Sequence, residues 1–234
     1  MNFEDWYNEK ALDIWRNAEP EQELFPGLLP KIKTESEVLI IGINPSHDLD
    51  WINQNLARVE FKGKTAEEVF SWNKTNIKEK IQDVISMENI ARNPDVKNRY
   101  FNAIDSFTKR CGFSSWEHID LFLIRKTKQS DAMKLLGKND ALNDFGERQK
   151  ELFFEAIEKL KMKTVVVTNA RASKIIQNEI FKNKKEIKTS IKHNGKYFFF
   201  ASMLSGGAMD NYSKERLIRE ILEYKNAFSF ESKT

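Results

Sequence analysis

Residues 38–47 read Val38-Leu39-Ile40-Ile41-Gly42-Ile43-Asn44-Pro45-Ser46-His47. The four apolar residues at the start, three of them β-branched, predict a central strand that is buried on both faces of a sheet. Gly42 permits a turn or a close backbone approach, and Pro45 prevents the strand from continuing. Asn44 and Ser46 then place hydrogen-bonding groups at the carboxyl end of the strand, where ligands bind in open α/β sheets. An ordinary turn from strand to loop is the alternative interpretation.

Apolar runs and amphipathic segments alternate along the rest of the chain. Two further runs predict buried strands over residues 116–125 and 164–168, and residues 187–201 predict a hairpin with an Asn-Gly turn. Helices are predicted over residues 3–17, from Thr65 to about residue 88, between Pro94 and Gly112, after Asn143, after Asn169 and from Ser213 onward. This order predicts an α/β fold, a three-layer sandwich with a central, mainly parallel sheet of about four strands and helices on both faces.

The length and composition favour one domain. With 234 residues, of which 40% are hydrophobic, the chain can bury a sizeable core. We expect a single domain over residues 1–234, in which residues 1–34 form an N-terminal helix and a wrapping loop. A single cysteine, Cys111, excludes an internal disulfide. The N-terminus lacks a targeting pattern, and the apolar runs fall short of the about 18 residues that span a bilayer. We therefore expect a cytoplasmic monomer without membrane contact.

Several classes of site are disfavoured by the residue types. Three dispersed histidines and one cysteine do not form a zinc cluster, although a carboxylate site for magnesium stays open. The sequence holds no glycine-rich loop of the dinucleotide or nucleoside-triphosphate type. We expect neither a cofactor nor a bound metal. The net charge is +3, but residues 182–196 hold six lysines and one acid, which suits phosphate binding or a solvated hairpin.

Polar residues follow the predicted strands at the end where a ligand site is expected. Asp120 lies inside the second apolar run, and a buried carboxylate must either find hydrogen-bond donors or face a pocket. A pairing of Asp120 with Arg125 or with backbone amides is the structural alternative. Asn169 follows the third strand, and Leu204-Ser205-Gly206 follow the last strand.

These segments resemble a known family. Gly42-Ile43-Asn44-Pro45-Ser46 after the first strand, with Ser205-Gly206 after the last, resembles the motifs of the uracil-DNA glycosylase superfamily, most nearly its mismatch-specific branch. The resemblance covers most of residues 36–225 and implies the fold of that superfamily. Residues 116–122 and 204–217 also look like a group of glycosylase-like proteins whose activity is not known.

The resemblance implies roles for several residues. Asn44 would position the water that attacks the sugar carbon. Asp120 would stand where those enzymes read the base edge with an Asn, and an ionised carboxylate, which only accepts hydrogen bonds, suits a guanine edge better than uracil. Met203-Leu204 stands where those enzymes carry the His or Asn that stabilises the departing base. His47 or Arg125 would then supply that donor, unless they are surface residues, and Leu204 would be the wedge that enters the base stack.

The motifs are consistent with two functions. The first is excision or recognition of a modified base in nucleic acid, and the second is binding of a nucleotide or free base by a protein that lacks this catalysis or catalyses another reaction. Both interpretations use the same set of residues. The catalytic candidates are Asn44 and His47, and the ligand-binding candidates are Gly42, Ile43, Pro45, Ser46, Asp120, Arg125, Asn169, Leu204, Ser205 and Gly206.

Overall fold

The structure is a computed structural model that describes residues 1–19, 22–56, 64–72, 77–138, 141–182, 187–205 and 207–231, with side chains up to residue 227. The chain groups into two compact units. The sheet unit comprises residues 33–42, 97–119 and 161–234, and the helical unit comprises residues 1–32, 43–96 and 120–160. In chain order the elements are α1 (Phe3–Arg16), β1 (Val38–Gly42), α2 (Leu49–Leu56), α3 (Ala66–Phe70), α4 (Ile77–Arg92), α5 (Arg99–Arg110), β2 (Trp116–Asp120), α6 (Gln129–Leu136), β3 (Gly137–Lys138), β4 (Ala141–Leu142), α7 (Asp144–Lys159), β5 (Thr164–Thr168), α8 (Ala170–Ile180), β6 (Ser190–His193), β7 (Lys196–Ala201) and α9 (Asn211–Glu231).

The sheet unit is built on a five-stranded sheet with the strand order β2-β1-β5-β7-β6. β1 pairs with β5 and β5 with β7 in parallel, and every residue of β1 and β5 is buried. β-Branched and aromatic side chains suit such a sheet because they fill the space above the pleated surface. α5 and α9 cover the sheet with a cluster of buried residues that includes Val38, Ile40, Ile104, Phe107, Val166, Phe199, Leu217 and Ile221. The α/β class with a mainly parallel sheet flanked by helices is thus confirmed.

The predicted hairpin over residues 187–201 supplies the fifth strand. β6 runs antiparallel to β7, and Asn194 and Gly195 between them have φ angles of 46° and 74°. Two positive φ values are typical of the tight turn that matches the twist of the flanking strands. Because β6 pairs with β7 along its whole length, the sheet has five strands where about four were expected.

The helical unit is organised around α1, which corresponds to the helix predicted over residues 3–17. Trp15 of α1 packs against Phe145 of α7, with ring centroids 5.1 Å apart. The segment after α1 is held along the helix by Asn8, whose Nδ2 donates to the Leu29 carbonyl (2.8 Å) and whose Oδ1 accepts from Leu29 N (2.7 Å). This segment buries four apolar residues, Phe25, Leu28, Leu29 and Ile32.

The strand predicted over residues 116–125 is wrong at its carboxyl end, because β2 stops at Asp120. Residues 121–124 are buried, but the backbone of Phe122 and Leu123 bonds to loops and to a helix side chain instead of to a sheet. Phe122 N donates to the Ile43 carbonyl, Leu123 N donates to Gln149 Oε1, and the Leu123 carbonyl accepts from Gly27 N. A buried apolar run therefore does not require a strand when loop and side-chain groups satisfy its backbone.

Two helix predictions also need correction. The helix predicted from Thr65 to about residue 88 is two helices, α3 and α4, although the capping box of Thr65 and Glu68 is confirmed. The last helix is capped by Asp210 and not by Ser213. Asp210 Oδ1 accepts a hydrogen bond from Ser213 N over 2.9 Å. Among the described residues, no helix is long and apolar enough to cross a membrane.

Candidate functional site

The strand order marks the edge of the sheet where a ligand site is expected. In this sheet the next two strands along the chain after β1 are β2 and β5, and they lie on opposite sides of β1. Open α/β sheets bind ligands at the carboxyl ends of the strands where the strand order reverses in this way. In the sheet unit, Gly42 ends β1 and Asn169 follows β5. Thr168 Oγ1 donates to the Ile41 carbonyl over 3.0 Å, which holds these two strand ends side by side.

In the helical unit, the loop after β1 is hydrogen-bonded to the loop after β2. We call residues 43–47 and 122–127 together the loop pair. Backbone carbonyls of the first loop accept hydrogen bonds from the second, so the two loops form one continuous surface. The pairs, with the donor first, are Phe122 N to Ile43 O (2.9 Å), Lys126 N to Pro45 O (3.2 Å) and Thr127 Oγ1 to His47 O (2.7 Å).

Asn44 is anchored to this surface by its side-chain amide. Its Nδ2 donates to the Lys126 carbonyl over 2.8 Å and to the Pro45 carbonyl over 3.1 Å. These bonds use the donor atoms of the amide, while Oδ1 forms no hydrogen bond within the described part of the chain. The side chain is half-buried. Asn44 therefore presents a fixed acceptor, which suits a water molecule or the N–H group of a ligand.

Asp120 is a carboxyl group at the end of β2 that keeps part of its surface accessible. Burial, and then the negative charge of Glu88, raise the pKa of Asp120 to about 8, while Arg92 and Arg125 act in the opposite direction. A group with this pKa carries its proton at neutral pH. Asp120 then offers one O–H donor and one carbonyl acceptor, instead of the acceptor-only carboxylate considered from the sequence.

Arg125 is engaged with neighbouring groups of the helical unit. Its side chain is 4% exposed and forms a charged hydrogen bond with Glu88 of α4. Nη2 also donates to the Pro26 carbonyl (3.3 Å), and the guanidinium lies 4.5 Å above the centre of the Phe70 ring. These contacts give Arg125 a structural position, in which it fixes Glu88 near Asp120. A direct contact of Arg125 with a ligand stays a prediction.

His47 packs edge-on against the same Phe70 ring, with the centroids 5.6 Å apart. Loss of hydration lowers the pKa of His47, and the charges of Arg125 and Lys126 lower it further. The imidazole is therefore neutral at neutral pH and carries one N–H donor. Its Nδ1 is buried and has no hydrogen-bond partner among the described residues, so the tautomer is not fixed by the protein.

Three residues of this site have no signal in the sequence. Tyr7 lies on α1, and Glu88 and Arg92 lie one turn apart on α4. Burial, and then the charge of Asp120, raise the pKa of Tyr7, so its phenol stays protonated. The sequence alone does not show that these helices meet the end of β2.

The other candidates of the first loop have packing or surface positions. Ile43 is buried. Pro45 packs against Gly27, since a Cβ atom added to Gly27 would lie 2.8 Å from Pro45 Cγ. Ser46 is exposed. Asn44, Ser46 and His47 therefore lie on one segment, and the contact of Pro45 with Gly27 fixes the position of that segment.

The candidates of the sheet unit are mainly structural. Asn169 caps α8 through its Oδ1, which accepts from Arg171 N (2.9 Å) and Ala172 N (3.1 Å). Leu204 is 9% exposed and belongs to the hydrophobic cluster of the sheet unit, so a wedge role would require it to leave that cluster. Ser205 is half-buried, and Gly206 lies outside the described residues.

Within the described ranges, no three His, Cys, Asp or Glu side chains are placed to hold a metal ion. The site in the helical unit combines a neutral acid, an anchored amide and a neutral imidazole, which are groups that hydrogen-bond to polar organic ligands. The chain matches no protein-family model and no curated protein. The functional assignment therefore depends on the geometry of the site and on the motifs of the sequence.

Proposed function

We propose that the loop pair and Asp120 bind a nucleobase of nucleic acid, and that the protein excises a modified base in the manner of a uracil-DNA glycosylase. The observation that carries this proposal is the anchored amide of Asn44. Its Nδ2 is held by the Lys126 carbonyl, while Oδ1 stays available to orient a water molecule. The motif that surrounds Asn44 is the one that resembles the superfamily.

Asp120 supports the choice of base. A neutral carboxylic acid pairs with an edge that has one N–H donor and one carbonyl acceptor side by side. Uracil and hypoxanthine present such an edge. Because burial and Glu88 raise the pKa of Asp120 to about 8, this form predominates at neutral pH. We therefore expect uracil and hypoxanthine to be better substrates than alkylated bases.

The expected reaction depends on positioning and on stabilisation of charge. A neutral amide is a weak base, so Asn44 would orient the attacking water and not remove its proton fully. Negative charge develops on the departing base, and the N–H group of neutral His47 is the available donor on the same loop. The water supplies the hydroxyl group of the sugar product, and its proton goes to the base.

The test is a panel of duplex oligonucleotides that contain uracil, hypoxanthine, xanthine or an alkylated base, with undamaged DNA as the reference. Abasic product is measured by alkaline strand cleavage. We expect excision of uracil or hypoxanthine and a loss of about 100-fold or more in Asn44→Ala. Asn102→Ala, which changes an exposed Asn on α5, is the matched control and should keep full activity. Absence of product with every base at stoichiometric protein would contradict the proposal.

A second candidate function is binding of a base or nucleotide without excision. It is favoured by Leu204, which is buried in the sheet unit, and by the neighbouring Met203, which has no hydrogen bond to donate. A thermal-shift screen with nucleosides and nucleotides, combined with a salt titration of DNA binding, separates the two functions. Stabilisation by small ligands without appreciable duplex binding would favour the second.

A further inference from the structure

The segment after Arg125 carries two further cations, Lys126 and Lys128. Arg125 itself is buried and bonded to Glu88. Lys126 is half-buried and Lys128 is exposed, and neither forms an ion pair with any residue in the described part of the chain. An uncommitted cation is common on a protein surface, so the position of this pair decides whether it has a function.

The position of the two lysines is fixed by the loop pair. Lys126 N donates to the Pro45 carbonyl, and the Lys126 carbonyl accepts from Asn44 Nδ2. Thr127, between the two lysines, donates its hydroxyl to the His47 carbonyl. The charge of Lys126 reaches the His47 ring, because it contributes to the lowered pKa of that imidazole. Both lysines therefore lie next to the residues that are proposed to hold the base.

One acid of the first turn of α6 lies within electrostatic reach of this pair: the hydrogen bond and charge of Lys134, and then the charges of Lys128 and Lys126, lower the pKa of Asp131. The nearest acid along the chain, Asp131, is already paired with Lys134, with Nζ and Oδ1 3.0 Å apart. α6 begins directly after Lys128, and the Lys128 side chain forms no capping hydrogen bond. The positive end of the helix therefore adds to the charge of the two lysines. A phosphate group, as a diester of a strand or as the monoester of a nucleotide, is the complement of this arrangement.

We propose that Lys126 and Lys128 bind the phosphate group that adjoins the base held by the loop pair. The phosphate belongs either to a nucleic-acid strand or to a free nucleotide. This inference rests on the proposed function, because it is the base that brings the phosphate to this segment. It also assigns a role to a segment that the sequence motifs leave without one.

The test compares the wild-type protein with Lys126→Gln, Lys128→Gln and the double variant. Lys138→Gln removes an exposed lysine that follows the carboxyl end of α6 and forms no ion pair with the described residues, and it is the matched control. Affinity for a fluorescent, uracil-containing oligonucleotide is measured at several salt concentrations. We expect the double variant to bind about tenfold more weakly and the slope of log K against log salt to fall by about 1, as for the loss of one phosphate contact. Lys138→Gln should match the wild type.

The source of the phosphate is determined from the thermal shifts that small ligands cause in the wild type and the double variant. Deoxyuridine lacks a phosphate, so its thermal shift should be equal in the wild type and the double variant. If deoxyuridine monophosphate binds more tightly than deoxyuridine and the double variant loses this difference, the phosphate of a free nucleotide is bound. If only the oligonucleotide responds to the substitutions, the phosphate of a strand is bound.

Two results would overturn the inference, and they differ from each other. Equal oligonucleotide affinity and equal salt slope in the double variant and the wild type would exclude the phosphate contact while leaving base binding intact. Failure of the wild type to bind the oligonucleotide, the nucleoside or the nucleotide would remove the proposed function together with the inference.

Discussion

Asp120 is a carboxyl group of the helical unit whose pKa is raised into the neutral range, so its ionisation affects the stability of the fold near neutral pH. In the folded chain it keeps its proton up to about pH 8, whereas the ordinary value of an aspartic acid is 3.8. Between these values the folded state binds more protons than the unfolded state. The free energy of unfolding should therefore fall as the pH rises through this range, by at most about 1.4 kcal/mol per pH unit.

Asp120→Asn removes this titration and keeps the size and the donor–acceptor pair of the neutral acid. We expect the melting temperature of the variant, relative to the wild type, to increase as the pH is raised from about 5 to about 8. Differential scanning fluorimetry over this range measures it. Asp95→Asn, at an exposed position, is the matched control for the loss of a carboxylate. A difference that does not change with pH would mean that Asp120 is ionised in the folded protein, and the match to uracil would then be lost.

Part of the site could be predicted at the residue level. Asn44 and Asp120 are recognisable because Asn44 directly follows an apolar run and Asp120 is a carboxylic acid inside one. The environment of Asp120 was not predictable, since Glu88 is 32 positions away in sequence and lies on helix α4, whereas Asp120 ends strand β2. The pairing of Glu88 with Arg125 likewise depends on how α4 packs, and this pairing decides that Arg125 is buried.

At the scale of elements, the close contact of Gly27 with Pro45 connects the segment after α1 to the loop pair. A Cβ atom at residue 27 would lie 2.8 Å from Pro45 Cγ and 3.6 Å from the Leu123 carbonyl oxygen. Pro45 is a ring on a loop that hydrogen bonds hold in place, so it has little freedom to move.

Gly27→Ala should therefore lower the free energy of unfolding by about 1–3 kcal/mol and weaken ligand binding, because the loop pair must shift. Urea denaturation measures the first effect. Ser46→Ala, on the same loop but exposed, should change stability by less than about 0.5 kcal/mol. A Gly27→Ala protein as stable as the wild type would show that the loop pair is deformable.

The start of α9 provides a second test at this scale. Asp210 accepts a hydrogen bond from the backbone N–H of Ser213 (2.9 Å) and another from its hydroxyl (2.6 Å). Asp210→Ala removes both acceptors, whereas Ser213→Ala removes only the hydroxyl donor. We expect the larger drop in melting temperature for Asp210→Ala. These bonds lower the pKa of Asp210, so its contribution is present above the ordinary range of an aspartic acid and is lost on acidification. Equal drops for the two variants would contradict this assignment of the cap.

The elements were predictable where local chemistry alone determines them. β5, the hairpin of β6 and β7, and the helices that start at Asn143 and Asn169 all have apolar periodicity and a turn or cap residue in place. The end of β2 was not predictable, because residues 121–124 are as apolar as a strand, and their backbone bonds instead to distant loops and to the side chain of Gln149 on α7. The cap of the last helix was not predictable, because Ser213 and Asp210 are both good capping residues and the sequence does not distinguish them.

At the scale of the whole molecule, each unit is assembled from separate stretches of the chain. The sheet unit draws on three stretches, and β1 and β2 come from the first two while β5, β6 and β7 come from the third. A fragment of residues 1–160 therefore keeps β1 without its partner β5 and without the residues of β7 and α9 that cover Val38 and Ile40.

We expect this fragment to lack a cooperative thermal transition, because buried strands without partners expose unpaired backbone groups and apolar surface. Circular dichroism and the dispersion of the amide signals in an NMR spectrum measure this. The full chain is the reference, and addition of a separate fragment of residues 161–234 should restore the signal. A cooperative transition in residues 1–160 alone would show that the two strands do not need their partners.

The single cysteine of the chain offers a practical consequence. Cys111 is fully buried in the hydrophobic cluster of the sheet unit, and burial raises the pKa of its thiol to about 12. Since the thiolate is the reactive form, maleimide dyes should leave the native protein unlabelled. Ser46→Cys would then place a single environment-sensitive fluorophore on the loop pair, and its emission would report occupation of the site in real time without removal of the native cysteine.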